Sequence, residues 1–327
     1  MLDSFIFAIK AVSPIILTVA IGYFLKKIGL IPVSLTGPLN KLVFRVLLPC
    51  LLFVNVYKID SFSSMRYGYI LYSVVATVIV FLLSVFLSRF ATKERRRRGV
   101  LTQCAFRSNY ALIGIPLATS LGVAGGEAVA TLLSAVAIPL FNVLAVISLS
   151  LFSEDGKRTS PKKVLLGIVT NPLIIGVAAG LSVLGIRALF VRWGVDFRLS
   201  DVEPVFDVLD FLSRSATPLA LLVLGAQFEF SAIGGMKKEI IIGTLARSVV
   251  VPLLAMAVAY LCFDFTGAEF AAFVAMFGTP VAVSSVPMAQ EMGSDPQLGG
   301  QLVIWTTVCC GISLFFFIFA LKLLGVF

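Results

Sequence analysis

Apolar stretches long enough to cross a lipid bilayer recur along the whole of this 327-residue chain. A membrane-spanning helix needs about 20 consecutive, mostly apolar residues. The mean hydropathy is +1.04 and only 13% of the residues are charged, whereas a soluble domain carries about 25% charge. A membrane β-barrel would show short segments of alternating hydrophobicity instead. The sequence therefore predicts an all-α polytopic membrane protein with no sizeable soluble domain.

Glycine, proline and charge clusters divide the chain into ten predicted transmembrane helices. These spans cover residues 6–26, 38–57, 67–90, 99–121, 127–152, 162–185, 205–228, 238–262, 268–292 and 298–323. We expect the first span to be a retained helix rather than a signal peptide. Asp3 stands where a signal peptide has its basic region, and no small-residue cleavage site follows.

Lysine and arginine concentrate in the loops on one side of these spans. The loops after spans 1, 3, 5 and 7 carry Lys26, Lys27, Arg89, Lys93, Arg95, Arg96, Arg97, Arg98, Lys157, Arg158, Lys162, Lys163, Lys237 and Lys238. The opposite side carries Lys58, Arg66, Arg187, Arg192, Arg198 and Lys322. Because cytoplasmic loops are rich in Lys and Arg, we expect both termini on the outer side of a bacterial cytoplasmic (inner) membrane. An anionic-lipid contact is the alternative role for the arginine-rich loop at 89–99.

Four short segments recur in the same order in the two halves of the chain. The pairs are SPIILTVAIG (13–22) with NPLIIGVAAG (171–180), MRYGYILYSVVAT (65–77) with MKKEIIIGTLARS (236–248), PLATSLG (116–122) with PMAQEMG (287–293), and GGEAVATLL (125–133) with GGQLVIWTT (299–307). Four collinear matches predict a duplication of five helices. Since five is odd, the second copy enters the membrane from the opposite side, as in many secondary transporters. The predicted inverted repeats are 1–153 and 163–327, with a short cytoplasmic loop at 154–162.

Spans 4 and 9 carry helix-breaking and polar residues within apolar sequence. Span 4 contains FRSNYALIGIPLATSLG (106–122) and span 9 contains FGTPVAVSSVPMAQEMG (277–293). Superposing Pro116 on Pro287 sets Asn109 against Pro280. Proline removes a backbone donor, and unwound backbone in a membrane is tolerated only where it is buried in protein or lines a wet cavity. We therefore expect both helices to be broken and to cross at mid-membrane, where their freed ends can bind a ligand. A proline kink without a ligand is the alternative.

The candidate substrate-binding residues lie on these breaks or near them. They are Arg107, Asn109, Tyr110, Pro116, Asn142, Asn171, Arg247, Thr279, Pro280, Ser284 and Ser285. Two of them are arginines at membrane depth, and arginine pairs bidentately with a carboxylate, which favours an anionic ligand. Two roles stay open for Arg107: it contacts the substrate, or its long side chain snorkels or bonds helix-end carbonyls. The position of Arg247 favours a packing role near Pro252.

The residue types present exclude several other functions. The chain has no histidine, which removes the commonest metal ligand and near-neutral proton carrier. Its five cysteines form no CxxC pair, so neither a zinc site nor a disulfide framework is indicated. No phosphate-binding loop is present. We expect no cofactor, no metal and no enzymatic activity. We also expect no nucleic-acid partner, because the net charge of +9 sits in short loops between spans.

Four segments resemble helices of one transporter family. SNYALIGIPLA (108–118) resembles the fourth helix of the auxin efflux carrier family, which includes the plant PIN-FORMED exporters and bacterial permeases. In that helix an asparagine stands seven residues before a proline, as Asn109 and Pro116 do here. LNKLVFRVLLPCLLF (39–53), TNPLIIGVAAGL (170–181) and SATPLALLVLGAQF (215–228) resemble the second, sixth and seventh helices of the family.

The resemblance implies a ten-helix fold in which helices 4 and 9 cross at their breaks. It also implies a scaffold of helices 1, 2, 6 and 7, an elevator-type motion, substrate contact by Asn109 and a sixth helix that opens on Asn171. Two departures disfavour auxin itself. Leu52 replaces a polar residue of the plant members, and Pro280 and Pro287 are spaced more widely than in the plant pattern. Bacterial members are associated with malate, malonate and similar organic acids.

The function expected from the sequence is secondary active transport of a small organic anion. The substrate class is a carboxylate or dicarboxylate, or an auxin-like acid. The alternatives are an anion-selective channel, which usually needs a symmetric oligomeric pore, and a non-transporting membrane sensor, for which no soluble output domain is present. The expected partners are the organic anion and the lipid bilayer, with a homodimer left open.

Overall fold

The computed structural model describes residues 2–58, 67–152, 166, 169–195, 197–265 and 267–326, with side chains from residue 13 onward. This part of the chain is built from helices, and its only β pairing is an isolated bridge. The helices are α1 (Leu2–Lys27), α2 (Val33–Tyr57), α3 (Tyr67–Ala91), α4 (Arg95–Phe106), α5 (Tyr110–Ser120), α6 (Gly126–Leu151), α7 (Pro172–Arg192), α8 (Glu203–Gln227), α9 (Phe230–Cys262), α10 (Gly267–Phe277), α11 (Ser285–Glu291) and α12 (Pro296–Leu323).

Seven helices of the described part are long and apolar enough to cross a membrane. They are α2, α3, α6, α7, α8, α9 and α12. Helices α5 and α10 are apolar but shorter. The prediction of an all-α chain with several membrane-crossing helices is confirmed. The division into repeats at 1–153 and 163–327 stays a prediction, and the predicted joining loop at 154–162 lies largely outside the described residues.

Helices α1 and α8 approach each other through a glycine on each helix. A Cβ atom on Gly22 of α1 would lie 2.1 Å from the carbonyl oxygen of Leu222. A Cβ atom on Gly225 of α8 would lie 2.0 Å from the carbonyl oxygen of Val19. Small residues of this kind let two helix backbones come into contact. The two glycines therefore fix where α1 and α8 cross.

Helices α2 and α7 also come into close contact through glycines. A Cβ atom on Gly176 would lie 2.6 Å from the carbonyl oxygen of Pro49, and one on Gly180 would lie 2.9 Å from the Cβ of Val56. Because α8 also packs on α2, the helices α1, α2, α7 and α8 form one unit, which we call the scaffold group.

The remaining helices, α3–α6 and α9–α12, form a second unit, which we call the crossover group. Arginines at the start of α4 form hydrogen bonds that connect several helices of this group. Arg95 donates to the carbonyl of Leu151 at the end of α6 (3.0 Å), Arg96 to a carbonyl just after α11 (3.1 Å), and Arg98 to a carbonyl just after α3 (3.0 Å). The C-terminus of a helix carries partial negative charge, so each arginine stabilises a different helix end.

Arg97, in the same run, is held by carboxylates from two other helices. It lies 3.1 Å from a carboxylate oxygen of Asp295, just before α12, and 3.2 Å from one of Glu239 on α9. The hydroxyl of Thr92 donates to the same Glu239 oxygen at 2.9 Å. The arginine-rich segment thus has a structural role in addition to the orienting role predicted from its charge.

Three helices widen into a short π-helical segment just before a proline. The segments are Val43–Leu47 before Pro49, Tyr110–Gly114 before Pro116, and Ala246–Val250 before Pro252. In a regular helix a proline lacks its N–H and clashes with the carbonyl four residues earlier. A π-type turn is a common way to accommodate such a local disruption. The helices therefore continue through these prolines.

Candidate functional site

Two of the predicted spans are interrupted in the structure. Helices α4 and α5 are separated by residues 107–109, and helices α10 and α11 by residues 278–284. The first break ends at Asn109, the position around which the sequence predicts the interruption of span 4. Pro116 itself does not interrupt the chain, because a π-helical segment precedes it and α5 runs through it. In the second break Pro280 is part of the non-helical backbone, as expected.

The two breaks pair with each other through their backbones. The N–H of Asn109 donates to the carbonyl of Pro280 at 2.8 Å, and Ser108 forms an antiparallel bridge with Val281. The hydroxyl oxygens of Ser108 and Thr279 are 2.6 Å apart. Buried backbone groups need hydrogen-bond partners. Each break supplies some of the partners that the other break requires, so the two breaks form a single crossover.

Arg247 fastens the helix ends that flank this crossover. Its guanidinium is fully buried and donates to three carbonyls, those of Thr279 (2.8 Å), Met276 (2.9 Å) and Ala105 (3.3 Å). The carbonyls of Met276 and Ala105 lie at the C-terminal ends of α10 and α4, where the helix dipoles are negative, and that of Thr279 lies in the break just after α10. These contacts hold the two helix ends together, and the packing role near Pro252 stays a prediction.

A cleft lies between the crossover and the scaffold group. The scaffold group contributes the polar side chains Asn55 and Thr217. The crossover group contributes Arg107, Ser108, Asn109, Asn142 and Ser284. Much of the remaining wall is apolar, including Leu48, Leu52 and Phe141. The site thus sits between two helix groups, with its polar side chains on both walls.

Arg107 is the charged residue in the described lining of the cleft, and it is only 3% exposed. Its guanidinium donates to the side-chain oxygens of Asn142 and Ser284, each at 2.9 Å, and contacts the sulfur of Met288 at 3.0 Å. All three partners are neutral, and Arg107 forms no ion pair with any residue that the structure describes. A buried charge without a counter-charge is costly. The site is therefore electrostatically complementary to an anion.

Asn109 adds a second donor to the lining of the same cleft. Its side-chain nitrogen is buried and has no hydrogen-bond partner among the described residues. Buried polar atoms of folded proteins are nearly always partnered. A carboxylate accepts several hydrogen bonds at once. A carboxylate bound at the crossover would therefore satisfy the amide of Asn109 and neutralise the guanidinium of Arg107.

Five of the predicted site residues line the cleft. They are Arg107, Asn109, Tyr110, Asn142 and Ser284. The hydroxyl of Tyr110 donates to the carbonyl of Ala130 on α6 at 2.8 Å. That side chain therefore helps to pack α5 on α6, and its hydroxyl is already engaged.

The other predicted residues lie outside the lining of the cleft. They are Pro116, Asn171, Arg247, Thr279, Pro280 and Ser285. The side-chain oxygen of Asn171 accepts from the N–H of Leu173 at 2.9 Å and caps the start of α7. Ser285 is buried at the first turn of α11, and its hydroxyl has no partner among the described residues.

Two lining residues, Asn55 and Thr217, were not singled out from the sequence. The signal was present on α2, because Leu48, Leu51, Leu52 and Asn55 are spaced by three and four residues and so share one helix face. The departure noted at Leu52 already lay on this face. The spacing alone did not show that the face borders the crossover rather than lipid, since that depends on the packing of α2 against α7 and α8.

Paired broken helices that meet at a polar cleft between two helix groups define a membrane transport protein. The chain belongs to the auxin efflux carrier family. The sequence profile of this family, described as membrane transport protein, matches residues 7–161 and 150–318. The chain is also similar to a protein described as an uncharacterized transporter of Methanothermobacter thermautotrophicus. The two are 23% identical over 314 residues, which cover 93% of this chain and 95% of that protein. The family resemblance predicted from the four segments is confirmed.

Proposed function

We propose that the protein is a secondary carrier that moves a small organic anion by an elevator-type motion. Membership in a transporter family supports transport. One observation supports an anion as the substrate. The guanidinium of Arg107 has no counter-charge among the described residues, and the amide of Asn109, likewise unpartnered there, lines the same cleft. The substrate carboxylate would bind there, against the crossover.

The arrangement of the helices supports a ten-span architecture with inverted repeats. Helices α4 and α5 together correspond to one predicted span, and α10 and α11 to another. With α1 and the seven longer helices they make up the ten predicted spans, and the two broken ones are the fourth and the ninth. In this proposal the crossover lies at mid-membrane, both termini face outward, and the membrane is the bacterial inner membrane.

A motion of one group against the other is supported by the way the two groups are joined. Near the start of α2, the amide of Asn40 donates to Gln227 at 3.1 Å, and Gln227 donates to Gln290 of α11 at 3.0 Å. Asn40 also contacts Gln290 directly. Arg45 and Glu291 form an ion pair at 3.6 Å. We call these contacts the latch. They join polar side chains of the two groups, which also pack against each other where α1 meets α12.

The latch also indicates which way the cleft opens. It involves the first half of α2, which follows the predicted cytoplasmic loop, whereas the cleft borders the second half from Leu48 to Asn55. With the proposed topology, the site is closed toward the cytoplasm and open toward the outside. The structure would then represent the outward-facing end of the transport cycle.

The proposed binding site is tested by three variants. We expect Asn109→Ala to weaken carboxylate binding by about 1–3 kcal/mol, the cost of losing the partner of a buried polar group. We expect Arg107→Lys to retain more transport than Arg107→Ala. Lysine keeps the positive charge but lacks the paired N–H donors with which a guanidinium binds a carboxylate. The measurements are thermal stabilisation by malate, malonate and indole-3-acetate, and uptake of the same acids into proteoliposomes.

Ser182→Ala is the matched control, since its hydroxyl is exposed and bonds within its own helix. Wild-type binding and transport by Asn109→Ala would place the site elsewhere. Uptake that rises linearly with concentration, without saturation, would favour the channel over the carrier.

A further inference from the structure

We infer that this carrier works preferentially as an anion exchanger, in which the return of the empty protein is the slow step. The inference rests on the proposed function, because it concerns what happens to the same site when no anion is bound. It follows from the difference between the two buried arginines of the crossover. One is compensated by backbone carbonyls of the protein, whereas the other has no counter-charge among the described residues and would gain one from a bound anion.

Arg247 is the compensated arginine. Two of its hydrogen bonds go to the carbonyls of Ala105 and Met276 at the C-terminal ends of α4 and α10, and the third goes to the carbonyl of Thr279 just after α10. The first two carbonyls belong to helix dipoles whose negative ends point at the guanidinium. The protein therefore supplies a fixed negative potential at Arg247, whether or not the cleft is occupied.

Arg107 lacks this compensation. Two of its partners are neutral side-chain oxygens, on Asn142 and Ser284, and the third is a thioether sulfur, which is a weak acceptor. The described lining of the cleft contains no acidic side chain. A carboxylate in the cleft would pair bidentately with this guanidinium. An empty cleft leaves its charge without a counter-charge among the described residues.

The charge of Arg107 must move with the crossover. Its backbone carbonyl accepts from the N–H of Ala282 at 3.4 Å, and the next residue, Ser108, contacts Thr279. Both of these partners lie in the break between α10 and α11. When the crossover group slides along the scaffold group, the guanidinium therefore slides along the scaffold wall as well.

That wall is mostly apolar where it faces the site. The scaffold group contributes Leu48, Leu51, Leu52, Leu173 and Ala220 to the lining. Its polar contributions, from Asn55 and Thr217, are neutral. A guanidinium paired with a carboxylate can pass such a surface with its charge compensated. An unpaired guanidinium carries an uncompensated charge past these leucine side chains, which raises the barrier for the empty protein.

The consequence is trans-acceleration. Net uptake requires the empty protein to return, whereas exchange requires only the anion-bound protein to move in both directions. Anion on the far side should therefore speed up the uptake of labelled anion. We expect at least a tenfold effect, which corresponds to only about 1.4 kcal/mol of barrier and is small compared with the cost of an unpaired buried charge.

The test uses proteoliposomes of the full chain and three labelled acids: malate, malonate and indole-3-acetate. Initial uptake of each acid is measured with and without the same unlabelled acid inside. Uptake at least tenfold faster with the internal acid is the expected result. Equal rates with and without it would overturn the inference and leave the proposed function standing. If none of the acids is taken up or binds, the proposed function fails, and this inference fails with it.

Variants assign the effect to Arg107. In Arg107→Gln the moving charge is absent, so the ratio of exchange to net uptake should fall toward one, even though overall transport is weaker. Arg107→Lys should keep a ratio well above one. Arg214→Gln is the matched control, because Arg214 is exposed and pairs with Asp210 at 2.6 Å, away from the cleft; its ratio should equal that of the wild type. An unchanged ratio in a folded Arg107→Gln protein would overturn the inference. If that variant does not fold, the wild-type comparison decides alone.

Discussion

Arg107 and Arg247 look alike in the sequence and behave differently in the structure. Both lie several residues inside an apolar span, and this was enough to predict that each is buried and functionally or structurally important. The sequence did not show which acceptors they reach. The acceptors of Arg247 are carbonyls at the ends of two helices from other parts of the chain, so they exist only after those helices are broken and packed together.

Removal of the Arg247 side chain tests its structural role. We expect Arg247→Met to lower the free energy of unfolding by about 3 kcal/mol or more, because three buried carbonyls lose their donor. The measurement is thermal unfolding in detergent. Arg214→Met is the control, since that side chain is exposed. An Arg247→Met protein that unfolds at the wild-type temperature would show that the carbonyls find other donors.

At the scale of helices, apolar stretches and breaker residues predicted most of the elements and the positions of the two breaks, around Asn109 and Pro280. The predicted span at 67–90 matches the observed helix Tyr67–Ala91 closely. In span 4 the chain breaks at 107–109, and Pro116 lies inside a continuous helix. A proline in the sequence shows that one hydrogen bond is missing. Whether the helix breaks or widens by a π-type turn depends on the neighbouring helices against which it packs.

The glycines at the helix crossings offer a test at this scale. Gly225→Ala should destabilise the protein by about 1–3 kcal/mol, because the new Cβ would lie 2.0 Å from a backbone oxygen of α1. Gly185→Ala is the matched control, since it lies in helix α7 with open space around its Cβ position. We expect that change to leave stability unchanged or to raise it by up to about 1 kcal/mol. Thermal unfolding of both variants checks the pair, and equal effects would contradict the proposed close contact of α1 and α8.

The topology of the whole molecule can be tested by labelling single cysteines in a cysteine-free background. Lys27→Cys and Lys237→Cys should react only from the cytoplasmic side, and Lys58→Cys and Arg192→Cys only from outside, as the distribution of Lys and Arg in the loops indicates. All four positions are exposed. Reaction of Lys27→Cys and Lys58→Cys from the same side would contradict a membrane crossing by α2. Reaction of every position from the opposite side would reverse the orientation but keep the number of spans.

The inverted duplication is the part of the whole molecule that the sequence indicates and that still awaits such a test. Its strongest support is the match between PLATSLG and PMAQEMG, which places the two broken spans in corresponding positions of the halves. The scaffold group, in contrast, depends on glycine contacts between helices far apart in sequence, such as Gly176 with Pro49. A single sequence shows that such glycines are available, but not which helix each one meets.

The arginine run at the start of α4 has a consequence for how the protein is made. Arg95, Arg96 and Arg98 bind the ends of α6, α11 and α3, and Arg97 binds Asp295 and Glu239. Charges that would hold this loop on one side of the membrane during insertion therefore form hydrogen bonds and ion pairs with other helices once those helices have been synthesised. Substitutions that move these charges to another loop, and so reverse the orientation of the chain, would also remove the contacts that each arginine makes with other helices. The orientation of the chain in the membrane and the stability of the folded helix bundle therefore depend on the same arginines.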